Sequence, residues 1–327
     1  MDFTISTKCI LGFIFSLALL MCLMPSFINF LKRKKMNQVS SEYSLEEFKQ
    51  KARTPIMGGL MFIVCPILVF GIIGFKYLSD KTVLFVMASY VCFSIVGFLD
   101  DKKVIASHSN DGLSPITRLI MEFVITCMLF VFFKDQLPLQ VTIPFLNIGI
   151  SLGWFIYLPF MILLYMAEAN AVNFTDGMDG LCAGVSFIGL VPFIIFAFKY
   201  GFDALSLLLI CIEGGLLGYL YFNHHPAKIF MGDSGSLGLG ALFASLGLLL
   251  DKTIALFVIG GVFVVEMFCV VVQQVSVRLF HKRVFSYTPI HYAFVIKGYK
   301  ENKIVYGFYV VAIILALIGY FIGINTL

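Results

Sequence analysis

Charge is scarce in this sequence. Asp, Glu, Lys and Arg make up 13% of its 327 residues, where a soluble domain carries about 25%. Too few charges are present to cover a globule of this size, which excludes a soluble enzyme. Paired cysteines are missing as well. The eight cysteines (Cys9, Cys22, Cys65, Cys92, Cys127, Cys182, Cys211, Cys269) sit singly in or beside apolar runs, so neither a zinc site nor a disulfide framework is indicated. They read as small apolar packing residues. A strong charge imbalance is absent too, the net charge being +4, which gives no reason to expect a nucleic-acid partner. No cleavable signal peptide is expected: the uncharged run 10–30 is too long for one and lacks a small-x-small cleavage site. No linker, composition break or internal repeat divides the chain, so residues 1–327 read as one membrane domain.

What is abundant is apolar surface. Hydrophobic residues make up 60% of the chain and phenylalanine alone accounts for 36 positions; the mean hydropathy is +0.97. A helix of about 20 apolar residues crosses a bilayer. Ten stretches qualify as candidate spans: 10–30, 55–75, 82–99, 119–133, 148–166, 181–198, 204–222, 234–250, 253–277 and 304–324. The expected fold is therefore an all-α polytopic membrane protein with about ten transmembrane helices. Segments 31–54, 100–118, 223–232 and 278–303 carry 17 of the 23 Lys and Arg residues, and the opposite set carries six. By the positive-inside rule the basic set is cytoplasmic and both termini lie outside. The stretch 139–150, on the outer side, is expected to form a small extracytoplasmic β-hairpin.

The inner loops hold nearly all the polar clusters. Asp100-Asp101-Lys102-Lys103 closes the third span. Asn170-Ala-Val-Asn173-Phe-Thr-Asp176-Gly177-Met-Asp179-Gly180 joins the fifth and sixth. Asn223-His224-His225 and Met231-Gly232-Asp233-Ser-Gly-Ser236 lie between the seventh and eighth, and Tyr287-Thr-Pro-Ile-His291 precedes the tenth. Each has a bland explanation by itself: a helix-end pair meeting water, a capping turn, an N-cap, a solvated histidine. Their convergence on one membrane face favours a single cytoplasmic site, because carboxylates held at span ends are costly. Oxygen donors without cysteine, beside glycine and hydroxyl groups, suit a hard ion such as Mg²⁺. Such an ion lets an anionic nucleophile approach an anionic diphosphate. Asp233, at a helix start, is the candidate metal ligand, with backbone N–H groups facing phosphate oxygens. Lys51, Lys102 and Lys103 are candidates for further positive charge. The chemistry indicated is phosphoryl transfer at a membrane.

At these residues the sequence resembles the polyprenyl-phosphate N-acetylhexosamine-1-phosphate transferases. The matching strings are Thr54-Pro-Ile-Met-Gly-Gly-Leu60, Gly97-Phe-Leu-Asp-Asp101, Gly112-Leu-Ser-Pro115, Asn170 to Gly180, Phe230-Met-Gly-Asp-Ser-Gly-Ser-Leu-Gly238, and Pro289-Ile-His291 followed by Lys297-Gly298. The resemblance is greatest to the branch that moves phospho-MurNAc-pentapeptide from UDP-MurNAc-pentapeptide to undecaprenyl phosphate, releasing UMP in the first membrane step of peptidoglycan synthesis. It implies Mg²⁺ as cofactor, with Asp233 as its ligand. It also implies a bacterial cell-membrane location and a homodimer. Asp100, Asp101, Asp233 and His291 would carry catalysis. Lys51, Thr54, Asn173, Asp176, Gly177, Asp179, Asn223 and Phe230 would bind substrate, Phe230 stacking near uracil. Two mechanisms remain open: direct attack by the lipid phosphate with Asp100 as base, and a two-step path through an aspartyl-phosphosugar enzyme.

The chain departs from the family where three histidines usually follow Pro-Ile; here His291-Tyr292-Ala293 stands. The family's tyrosine after the paired aspartates is Lys102, and its glycine before Thr-Pro is Arg53. The rival readings are a GlcNAc-1-phosphate transferase to the same lipid and, from another class, a secondary transporter using Glu122, Glu168, Glu213 and Glu266. Transporter sites lie near the bilayer midplane within repeated halves, whereas these polar clusters gather at one membrane edge.

Overall fold

A computed structural model describes residues 4–37, 51, 54–107, 112–146 and 148–325; Arg53 lies outside them. Among the described residues twelve α-helices follow in order: α1 Ile5–Arg33, α2 Gly59–Ile73, α3 Lys81–Ser107, α4 Pro115–Phe133, α5 Trp154–Thr175, α6 Leu181–Lys199, α7 Asp203–Asn223, α8 Asp233–Leu249, α9 Thr253–Ile259, α10 Gly261–Phe280, α11 Ile290–Ile296 and α12 Glu301–Ile324. Eight are long and apolar enough to cross a membrane, and the shorter apolar helices α2 and α8 make ten. The expected all-α polytopic architecture is the one found. Between α4 and α5, β1 Gln140–Ile143 pairs antiparallel with β2 Ile148–Ser151, which is the expected hairpin.

Three of the differences from the apolar runs change how the chain is read. The third helix does not stop at residue 99 but continues eight residues to Ser107, so Asp100 and Asp101 are helical rather than loop residues. Residues 148–151 belong to the hairpin, and α5 begins at Trp154 behind Gly153. The run 253–277 is broken at Gly260 into α9 and α10, since glycine makes a break cheap.

Helix α8 is the axis of the bundle. Every residue from Ser234 to Leu249 is buried, with α3, α5 and α2 packed around it. Glycine permits these approaches: a Cβ on Gly59 would strike Gly235, one on Gly240 would strike the Ala169 backbone, and one on Gly97 would strike the Asp233 carbonyl. The C-terminal ends of α3, α5 and α7 and the N-terminal ends of α4, α8 and α12 therefore meet at one end of the molecule. The hairpin marks the other end, where Asp251 accepts hydrogen bonds from Thr142 N (3.1 Å), Thr142 Oγ1 (2.5 Å) and Gln140 Nε2 (2.8 Å).

Candidate active site

The carboxylate centre is built on the crossing of α3 with the start of α8. Gly232 takes φ +75°, a backbone region open to glycine, and turns the chain so that Asp233 starts the helix. Asp101 then caps that helix: its Oδ1 accepts from Asp233 N at 2.9 Å and its Oδ2 from Ser234 N at 3.0 Å. Free N–H groups at a helix start favour a carboxylate. Adjacent helical residues point in different directions, so Asp100 faces elsewhere. It accepts Leu113 N at 2.8 Å, and its carboxylate neighbours that of Asp233.

Asp233 has two further partners. Asn173, at the end of α5, donates to its Oδ1 at 2.8 Å and to Ser236 Oγ at 2.9 Å. Arg118 donates to its Oδ2 at 3.1 Å and to Asn170 Oδ1 at 2.7 Å. Ser114 caps α4, accepting Thr117 N at 3.1 Å with Pro115 in the first turn, and this sets Arg118 one turn into the helix. Asp176 is the residue on which α5 ends. Burial, then the neighbouring Asp233 charge, push its carboxyl from an ordinary 3.8 up to about 7, against a hydrogen bond from Gly232 N.

A second grouping lines an open pocket of about 750 Å³. Lys51, Thr54, Asp179 and Phe230 all face it, together with His225, Glu301 and residues 298–303. Phe230 is presented by backbone pairing: its N–H donates to Pro55 O at 2.8 Å and its carbonyl accepts Gly58 N at 2.8 Å. Asp179 and Glu301 share the Lys51 ammonium at 2.5 and 2.6 Å. His225 Nδ1 lies 2.9 Å from Asp179 Oδ2, and Asp179 N donates to Glu301 Oε1 at 2.8 Å.

Two candidates are enclosed. His291 is fully buried; its Nδ1 lies 3.1 Å from Glu266 Oε1, and its Nε2 sits where a Cβ on Gly177 would be. Asn223 is buried with both ends of its amide in use, accepting Gly180 N at 3.0 Å and donating to Ile229 O at 2.9 Å. It fastens the α5–α6 turn to the loop before α8 and faces no open space.

The donor set at Asp233 and Asp100 consists of carboxylate oxygens, with Asp176 close by and no sulfur, and Arg118 offsets the local negative charge. It fits a hard divalent cation. Three potential metal donors also lie within 4.8 Å of one another at Asp179, His225 and Glu301, but the Lys51 ammonium already pairs with both carboxylates of that group. Arg118 and Glu301 are the site residues that sequence reasoning passed over, and His225 stood in one of its polar clusters without a role. Only Arg118 left a signal, as the cation just before the apolar run that contains Glu122.

Helices enclosing an aspartate centre at one end of a membrane bundle define a membrane-embedded transferase, and residues 83–251 match the glycosyl transferase family 4 pattern. Three relatives cover nearly the whole chain. A phospho-N-acetylmuramoyl-pentapeptide-transferase of Clostridium botulinum (strain Alaska E43) is 37% identical over 97% of this chain and 96% of its own. One of Halalkalibacterium halodurans is 34% identical over 96% and 97%. A Staphylococcus saprophyticus relative of the same name is 35% identical over 95% and 98%. The chain belongs to the phospho-N-acetylmuramoyl-pentapeptide-transferase family within glycosyl transferase family 4.

Proposed function

We propose that this chain is one membrane transferase unit that moves phospho-MurNAc-pentapeptide from UDP-MurNAc-pentapeptide to undecaprenyl phosphate, yielding lipid I and UMP on the cytoplasmic face of the bacterial cell membrane. The observation that carries this reading is the carboxylate centre beside the 750 Å³ pocket, set in a chain that aligns end to end with relatives bearing that name. Family membership favours this donor over UDP-GlcNAc, the rival within the class. The homodimer belongs to the same reading, and the mass of the detergent-solubilised protein tests it.

The pocket supplies the donor seat. The Phe230 ring offers a face to a planar base, and Lys51, at its edge, offers an ammonium to the diphosphate. Thr54 and Asp179 line the same wall, and the Asp176–Gly177 turn continues it toward Asp233. Asp233 would hold Mg²⁺, which supplies charge neutralisation when bound, and Asp100 stands beside it as the base. Asp101 acts at one remove by fixing the helix start that carries Asp233. In direct attack a lipid phosphate oxygen bonds to the β-phosphorus, the bridging oxygen to the α-phosphate leaves with UMP, and Asp100 accepts any proton remaining on the nucleophile. A phosphate monoester has its second pKa near about 6, so the acceptor is largely ionised at neutral pH. Replacing Asp100 by Asn therefore slows turnover chiefly in acid; a trapped aspartyl-phosphosugar enzyme would overturn this order of events.

The deciding experiment is UMP release by detergent-purified protein with undecaprenyl phosphate and Mg²⁺, given UDP-MurNAc-pentapeptide or UDP-GlcNAc in parallel. Turnover with the muramoyl donor alone, abolished in Asp233→Ala and by chelation, is the expected result. Turnover with UDP-GlcNAc would move the chain to the rival specificity, and none with either would restore the transporter reading.

A further inference from the structure

His291 and Glu266 form a buried pair that the transfer chemistry above does not use. Both side chains are fully enclosed. Glu266, on α10, divides its carboxylate between two donors of α11: Oε2 accepts Ile290 N at 2.7 Å and Oε1 faces His291 Nδ1 at 3.1 Å. A carboxylate only accepts hydrogen bonds, so the Nδ1 contact requires a proton on Nδ1. In neutral His291 the other nitrogen is then a bare lone pair. That nitrogen, Nε2, is buried with no hydrogen-bond partner among the described residues, where a histidine serving only as packing would have both nitrogens satisfied. It lies against Gly177, in the turn between Asp176 and Asp179, and a Cβ there would collide with it. The neighbouring Tyr292 hydroxyl donates to Gly177 O at 2.9 Å, holding α11 on the turn. With Tyr292 and Ala293 following, no adjacent imidazole can substitute for this one.

We propose that Glu266 is a positioning residue for the transfer reaction: it fixes the tautomer and direction of His291 so that an unprotonated Nε2 is presented at the Asp176–Gly177 turn. The proposal rests on the transferase reading above. It extends that reading by assigning a carboxylate inside a membrane span to the orientation of the buried histidine at the donor turn.

The test uses the full chain in detergent, with Glu266→Gln, Glu266→Ala, His291→Ala and the double alanine variant. Turnover with the muramoyl donor is measured alongside spectra of protein carrying ¹⁵N in its histidine rings, the His291→Ala spectrum assigning the signal. The unaltered protein should show His291 protonated on Nδ1. In Glu266→Gln, whose amide N–H₂ can donate to Nδ1, that signal should move toward the other tautomer. Each alanine variant should lose about 10–100-fold in turnover, the range for removing an orienting partner, and the double variant no more than the worse single one. A proton on Nε2 in the unaltered protein would overturn the proposal. So would Glu266 variants that turn over normally while His291→Ala does not. If the unaltered protein fails to turn over, the transferase reading falls, while the ring spectra still decide the Glu266 assignment.

Discussion

Gly97 offers a test of whether the carboxylate centre depends on how closely α3 approaches α8. A methyl group at this position would land on the Asp233 carbonyl and come within 2.5 Å of Ser234 N, where ordinary contact begins at 3.4 Å. The closest approach, 2.0 Å to the Asp233 carbonyl oxygen, falls about 1.4 Å short of that, and the helices must part by about this much at the crossing. Both neighbours are backbone atoms, so no side chain can swing away to absorb the clash. The parting falls on the 2.9 and 3.0 Å bonds by which Asp101 caps α8, and it carries Asp100 away from Asp233. Misplacement of about 1 Å in a reacting centre costs on the order of 10²-fold in rate, and overpacking costs about 1–3 kcal/mol of stability. Gly97→Ala should therefore lose about two orders of magnitude in UMP release and unfold at lower temperature in detergent. Gly71→Ala is the control, since a Cβ there meets nothing within 4 Å; it should keep full activity and gain up to about 1 kcal/mol from improved helix propensity. A Gly97→Ala protein with the turnover of its parent would refute the claim that this crossing sets the site.

Asp101→Ala removes the acceptor for two N–H groups and should cost about 0.5–2 kcal/mol, the usual value of a helix cap; Asp101→Asn should restore part of it, read by thermal unfolding. Arg118→Met strips Asp233 Oδ2 and Asn170 Oδ1 of their shared donor and should cost about 1.5–3 kcal/mol, as hydrogen bonds to charged groups do; an unchanged unfolding temperature would argue against that role. Asp176 predicts a pH effect. Its carboxyl keeps a proton in the folded state up to about 7, whereas the unfolded chain releases it near 3.8, so on its account stability falls as pH rises between those values. Asp176→Asn should flatten that decline in unfolding curves recorded without ligand.

Much of this architecture was legible in the residues, and the exceptions have physical causes. Apolar runs located the spans because a bilayer demands about 20 such residues per crossing. The same criterion missed the eight residues that carry α3 past its apolar run. Asp100-Asp101-Lys102-Lys103 announces the edge of the hydrocarbon, not the end of the hydrogen-bonded helix. Motif strings brought Lys51, Thr54, Asp179 and Phe230 to one pocket. They could not separate the roles of Asp100 and Asp101, because that division depends on which neighbour faces the start of α8. Glu301 escaped notice and His225 was given no role, since each is an ordinary polar residue until folding brings segments 76 positions apart together at Asp179. The enclosure of Asn223 and His291 follows from packing by α6, α10 and α11, which no local pattern encodes.

The complete burial of α8 has a consequence for the way this protein meets membranes of different thickness. At 17 residues and 1.5 Å per residue the helix is roughly 25 Å long, short of the roughly 30 Å of hydrocarbon that a lipid-facing span must match. It has no such obligation, because protein surrounds it from Ser234 to Leu249. Stretching or thinning the bilayer acts on the tilt of peripheral helices such as α1, α4 and α12, whose outer faces are apolar and exposed. The aspartate at the head of α8 is thereby insulated from hydrophobic mismatch, and its distance from the Phe230 wall stays constant while the rim of the bundle adjusts to the lipid around it.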